Sequence, residues 1–211
     1  MTGKTHMAAG IAISTLILAP GSYEDISAAA QHVTGIAAAA IGSVICDIDV
    51  HTSGSYRKLA QIVSAMAAIV LALFALDFGA GTHFLEQIRE SIAGHKNLWV
   101  PLGAALAFLL ICIWGSRMPH RSFMHSILAV LMLGGCVYLA VPILFLGFVI
   151  GMLSHIVLDV VNYKKIKLFF PYRKGVALRF CQSGKAVDSL VFVGSVAAVA
   201  IYLWSICGLK A

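Results

Sequence analysis

Apolar residues in this chain come in long runs separated by short polar stretches. The runs cover about 6–20, 26–46, 59–80, 98–116, 123–141, 143–162 and 187–208. A bilayer core of roughly 30 Å needs roughly 20 helical residues at about 1.5 Å each. The pattern therefore predicts an all-α, polytopic membrane bundle of about seven transmembrane helices. The first run is short and stops at Pro20-Gly21. Only Lys4 precedes it and another apolar run follows, so it reads as a retained helix rather than a cleaved signal. Pro142, between the fifth and sixth runs, predicts a tight turn. No repeat or low-complexity linker divides the chain, so residues 1–211 read as a single integral membrane domain.

Composition supports that solvent. Hydrophobic residues make up 60% of the chain and charged residues 11%. A soluble domain carries roughly 25% charged residues, so an ordinary soluble fold and a disordered chain are both excluded. Five scattered cysteines without a CxxC spacing suggest neither a disulfide framework nor a thiolate zinc site. The net charge is +6. In a membrane chain that excess reads as topology or lipid contact, and no nucleic-acid partner is expected. Seven spans place the N-terminus and loops 47–58, 117–122 and 163–186 on one face, with twelve of the fifteen Lys and Arg residues. The positive-inside rule makes that face, and the N-terminus, cytoplasmic. Loop 163–186 interleaves Lys164, Lys165, Lys167, Arg173 and Lys174 with Leu168, Phe169, Phe170 and Tyr172. It reads either as a segment lying on an anionic leaflet or as a plain positive-inside anchor.

Ionisable residues at or inside spans are costly and usually functional. Here they gather at the ends of spans that share the basic face. His6 opens the first run, and Asp47 and Asp49 close the second. His120 and His125 sit where the fifth begins, His155 and Asp159 near the end of the sixth, and Asp188 at the start of the seventh. His155 and Asp159 are four apart, which puts them on one helix face. Ser122 as an N-cap would put His120 in the entry loop and His125 in the first turn. Such a set of Asp and His suits zinc or another divalent metal that prefers nitrogen and oxygen. Plainer readings exist: Asp188 as an N-cap, Arg121 as a structural bridge, a lone histidine satisfied in the core. His32, His83 and His95 fall toward the other face and read as interfacial or loop residues.

At these residues the chain resembles the YdjM family of inner-membrane, metal-dependent hydrolases. The matching elements are Thr5-His6, Asp47-Ile48-Asp49, His120-Arg121-Ser122-Phe123-Met124-His125-Ser126, and Gly151 through Ser154-His155 to Asp159. They span about residues 5–190. The paired HRxxxHS and SHxxxD elements are the specific part. Three departures stand out. His51 is displaced by one residue in Asp47-Ile48-Asp49-Val50-His51. Ser122 and Met124 replace the usual Gly and Thr. The late acidic residue, often Glu, is Asp188. The family is distantly similar to zinc phospholipases C and single-strand zinc nucleases. That similarity implies phosphoester hydrolysis, with His155 and Asp159 as metal ligands and His6, Asp47 and His120 or His125 nearby. It also implies a bacterial inner (cytoplasmic) membrane location. No second HxxxE element follows Asp159, so one or two metal ions are expected, zinc first and manganese second.

The resulting expectation is a membrane hydrolase acting on a phospholipid or polyprenyl-phosphate-like substrate from the cytoplasmic side. His6, Asp47, His125, His155 and Asp159 would bind metal. Asp49 and His120 would orient ligands or act as general base, and Arg121 would offset phosphate charge. His51 and Asp188 are additional candidates. The rivals are a non-catalytic scaffold whose polar residues brace helix ends, and a transporter. A cluster at one end with no repeat argues against transport. Oligomeric state is not legible.

Overall fold

A computed structural model describes residues 1–19, 26–49 and 99–208, with Glu86, Glu90, Ala93, Gly94 and Asn97. The described residues form helices α1 (Gly3–Ile17), α2 (Ile26–Ile45), α3 (Trp99–Ser116), α4 (Ile127–Ala140), α5 (Pro142–Val161) and α6 (Ala186–Gly208). A 3₁₀ turn, Cys46–Asp49, continues α2, and another, Phe123–His125, precedes α4. Between α5 and α6 the chain is irregular, pinned by bridges pairing Asn162 with Cys181 and Ile166 with Val176.

The all-helical expectation holds for these residues. The count of seven spans is not confirmed. Among the described residues, four helices are long and apolar enough to cross a membrane: Ala28–Asp49, Trp99–Ser116, Pro142–Val161 and Ala186–Ile206. α4 is shorter, and α1, with 15 residues, is about 22 Å long, less than a bilayer core. The run predicted at 59–80 lies outside the described residues, as do His51, His83 and His95.

Local signals set the helix starts. Pro142 occupies the first position of α5, where its missing N–H costs nothing. Ser126 caps α4, its hydroxyl accepting the Ala129 N–H at 3.2 Å. This corrects the expectation for Ser122, whose hydroxyl donates to the Pro119 carbonyl instead. His125 consequently lies in the 3₁₀ turn before the helix.

α5 is central. It packs on α1, α2 and α4; α6 lies on α1, and α3 on α4. Its contact with α2 is backbone to backbone. A Cβ at Gly147 would collide with the Gly35 carbonyl, one at Gly151 with the Ala39 carbonyl, and one at Gly42 with the Phe148 carbonyl. Small residues four apart let helices approach this closely in lipid, where apolar burial gives little drive for association. Beneath the polar end, Phe123, Met124, Leu133, Phe148, Met152 and Ile156 fill the core. Leu102, Leu106, Leu109 and Leu110 of α3 and Leu190, Val193, Ile201 and Trp204 of α6 point outward, as a bilayer solvent allows. His32 departs from expectation. It is buried, its Nε2 2.9 Å from the Thr15 carbonyl, and so ties α2 to α1 within the bundle.

Replacing Gly151 with Leu is expected to destabilise the fold by about 1–3 kcal/mol or more, because backbone would have to move. Gly135→Leu, at a position with open space around its Cβ, should leave the thermal midpoint nearly unchanged. Circular dichroism melts of the detergent-purified variants test the contrast.

Candidate metal centre

The close α2–α5 seam fixes the first candidate ligand. One helical turn beyond Gly151, His155 sits with no exposure, and its Nδ1 is 2.6 Å from the Ser43 carbonyl of α2. A carbonyl only accepts, so Nδ1 carries the proton and Nε2 presents a lone pair. That Nε2 faces Nε2 of His125 at 3.3 Å. His125 Nε2 can meet that lone pair by donating a proton to it or by sharing a cation with it.

Carboxylates converge on the same point. Asp47 Oδ1 is 3.8 Å from His155 Nε2 and 3.9 Å from His125 Nε2. Asp159 Oδ2 is 3.4 Å from His125 Nε2, and its Oδ1 is 3.4 Å from Nε2 of His6. His6 comes from the first turns of α1 and stacks on His155, ring centroids 3.8 Å apart. Tetrahedral zinc with bonds of about 2.0–2.1 Å separates its ligand atoms by roughly 3.3–3.4 Å. The shortest separations here match that spacing, and the 3.8–3.9 Å ones are within a small side-chain adjustment.

Among the described residues, three overlapping groups have ligand atoms within 4.8 Å of one another: His6, His155 and Asp159; Asp47, His125 and His155; Asp49, His120 and His125. The third differs in character. Asp49 is fully buried and accepts from His120 Nδ1 at 2.7 Å and from the Arg121 backbone N–H at 3.1 Å. Its Oδ2 lies 3.5 Å from His125 Nδ1, on the ring edge turned away from Asp47 and Asp159. Asp49 thus occupies the place of a carboxylate that orients ligating histidines. His120 is 37% exposed and the most accessible member of the cluster.

Arg121 is bound into the structure. Its guanidinium meets Asp159 at 3.3 Å and donates to the Lys164 carbonyl at 2.8 Å. Its backbone adopts φ 65, a left-handed conformation that costs a non-glycine residue about 1–3 kcal/mol. Asp49 on its N–H and the Lys167 N–H on its carbonyl hold it there. The Met1 amine is also 3.2 Å from Asp159 Oδ1. Among the described residues, buried His6 Nδ1, Arg121 Nε and His125 Nδ1 have no hydrogen-bond partner.

His6, Asp47, Asp49, His120, Arg121, His125, His155 and Asp159 are therefore brought together from four parts of the chain. Asp188 is not among them. It accepts the Thr2 and Gly184 N–H groups at 3.2 and 2.8 Å and braces the start of α6. His51 lies outside the described residues. Lys164, Lys165, Arg173 and Lys174 are exposed and Lys167 is half-buried. The reading of side chains missed the carbonyls of Ser43 and Lys164 and the Met1 amine, since main-chain groups carry no sequence signal. The Gly42-Ser43 pair, with Gly42 against Phe148 and Met152, was the nearest hint.

The model of the YdjM inner membrane protein family matches residues 1–210. The chain belongs to the YdjM family. No curated protein and no solved structure matches. Within this YdjM chain the matching motifs are the elements that meet at the cluster: Thr5-His6, the Asp47–Asp49 turn, the His120–Ser126 loop and the His155–Asp159 turn.

Removing the buried Asp49 carboxylate leaves two donors without their acceptor. Asp49→Ala in the metal-free protein is expected to cost about 3–5 kcal/mol. Asp47→Ala, at a side chain 26% exposed, should cost much less. Comparing the two thermal midpoints checks the difference.

Proposed function

We propose that this protein is an integral membrane, metal-dependent hydrolase that cleaves a phosphoester of an amphiphilic, lipid-like substrate at the cytoplasmic face. The observation that carries the metal reading is the facing pair of Nε2 atoms of His125 and His155. One ring is fixed by the Ser43 carbonyl, and Asp47 and Asp159 close the same space. His125, His155, Asp47 and Asp159 would hold one divalent ion, and His6 with Asp159 offers a second position. Zinc suits this nitrogen and oxygen donor set best, and manganese is the second choice. When bound, such an ion lowers the pKa of its water to roughly 7 and polarises a phosphoryl oxygen.

The chain's own residues do the rest. Asp49 holds the His120 ring by a hydrogen bond and lies beside Nδ1 of His125. His120, the exposed ring, is placed to take or deliver a proton at Nε2 while its Nδ1 stays on Asp49. Arg121 holds Asp159 and keeps positive charge beside the cluster, where a phosphate would be favoured. The exposed basic and aromatic segment after α5 supports a cytoplasmic, lipid-facing orientation. The cluster lies at the ends of the helices, which suits a substrate with a headgroup in water and chains in lipid.

A scaffold reading has one observation in its favour. Arg121, His6 and the Met1 amine already surround Asp159 with cationic or donor groups. Metal content separates the two. Tag-free, detergent-purified protein should carry near-stoichiometric zinc or manganese by mass spectrometry. His155→Ala and Asp159→Ala should lose at least nine-tenths of it while keeping helical circular dichroism. Hydrolysis of lipid-like phosphoesters should vanish in the same variants. Wild-type protein that takes up no metal on reconstitution would sink the hydrolase reading in favour of the scaffold.

A further inference from the structure

Two adjoining cavities run along the seam between α1 and α6. The larger, about 530 Å³, lies between the stripe Lys4, Met7, Ala8 and Ile11 of α1 and the stripe from Phe192 to Leu203 of α6. Both stripes repeat at three and four residues, so each is a single helix face. Its one hydroxyl, on Ser195, donates to the Val191 carbonyl at 2.8 Å and is turned back into its own helix. What remains is an apolar trough. From Phe192 to Leu203 it is about 16 Å long at 1.5 Å per residue. That is about half of a 30 Å hydrocarbon core, the depth of one leaflet.

The smaller cavity, about 380 Å³, continues the trough at its Lys4 end and shares Lys4 and Phe192 with it. It is polar where the trough is not, lined by Thr2, Thr5, Asp188 and Ser189. The Asp188 carboxylate is held by the Thr2 and Gly184 N–H groups. Lys4 is exposed and supplies the cationic side chain common to both cavities. Thr5 directly precedes His6 of the metal cluster. Along the seam a polar cavity with a lysine is thus followed by an apolar trough, and the His6 side of the same helix turns faces the cluster.

We propose that this seam binds one hydrocarbon chain of a phosphate-headed lipid, with the chain in the α1–α6 trough and the phosphate on Lys4. Lys4, the cation common to both cavities, and the one-leaflet length of the trough select this occupant, while the neighbouring Asp188 carboxylate is already engaged by the Thr2 and Gly184 N–H groups. The proposal deepens the hydrolase reading by assigning the element that delivers the substrate, and for turnover it rests on that reading. Binding itself needs neither metal nor hydrolysis.

The probe is dodecyl phosphate, titrated against the full chain in detergent and followed by native mass spectrometry. Dodecanol supplies the chain without charge, and inorganic phosphate the charge without the chain. One dodecyl phosphate should bind, at least tenfold more tightly than either control. Ala200→Trp, which fills the trough from an exposed position, should weaken it at least tenfold. Val196→Trp, at a residue 50% exposed, serves if that variant unfolds. Lys4→Gln should reduce dodecyl phosphate to the affinity of dodecanol. Equal binding in wild type and variants would overturn the proposal, as would dodecanol binding as tightly as dodecyl phosphate. So would a dimer that takes up no dodecyl phosphate, which would mean that a second copy covers the seam. Metal content measured on the same samples keeps the two readings apart. A metal-free protein that binds in the predicted pattern loses the hydrolase and keeps the seam. A metal-loaded protein indifferent to the trough variants loses the seam and keeps the metal centre.

Discussion

α2 and α5 meet along their main chains, and the rest of the polar end is built on that contact. Gly147 and Gly151 stand against the Gly35 and Ala39 carbonyls, and Gly42 against Phe148. Side chains at these positions would hold the axes apart. With the axes close, the next residue in the same row, His155, reaches the Ser43 carbonyl. That one hydrogen bond chooses the tautomer, and the tautomer decides that a lone pair rather than a proton points at His125. A packing constraint in the apolar half of the bundle therefore becomes a chemical one at its end. In lipid this is an economical arrangement, because dispersion and main-chain fit drive helix association where apolar burial cannot.

Charge is the second constraint, and it acts against the first. Asp49 and Asp159 are almost wholly buried, in a setting where an uncompensated carboxylate costs several kcal/mol. The structure answers with donors drawn from distant parts of the sequence. Asp49 takes His120 and the Arg121 N–H; Asp159 takes Arg121 and lies beside His6 and His125. The loop before α4 is held by these contacts rather than by helix propensity. This explains why Arg121 tolerates a left-handed backbone. It also explains why the segment after α5 is ordered: Lys164 and Lys167 supply main-chain partners to the same arginine.

Much of this was legible in the sequence, for a physical reason. Carboxylates and histidines in apolar runs are expensive, so those present are constrained. Their positions at span ends on the lysine- and arginine-rich side point to a common end of the bundle. His6, Asp47, Asp49, His120, His125, His155 and Asp159 do converge. What was not legible depended on main-chain groups or on local competition. Ser122 and Ser126 are both plausible caps by residue type. Only the turn of Phe123–His125 decides for Ser126, and with it the placement of His125 outside the helix. His32 read as interfacial because its partner is a carbonyl of α1, which no side-chain pattern announces. Asp188 shares the face and the charge of the cluster, but two backbone N–H groups claim it. The count of spans was the weakest inference. Apolar length says that a helix can cross, and α1 and α4 show that an apolar run can also form a shorter helix.

The position of the cluster narrows what the end of this bundle can serve. A group wholly in water would not need helices whose outer faces are leucine and valine, and a group wholly in lipid would not need His120 exposed beside buried Asp49. The metal-competent atoms lie where α1, α5 and the loop before α4 meet, and α1 is also one wall of the apolar seam against α6. α1 therefore joins both environments: His6 on one side of its first turns faces Asp159, and Lys4, Met7, Ala8 and Ile11 on another line the seam. Any displacement of α1 by an occupant of the seam would be transmitted to His6 within one or two helical turns.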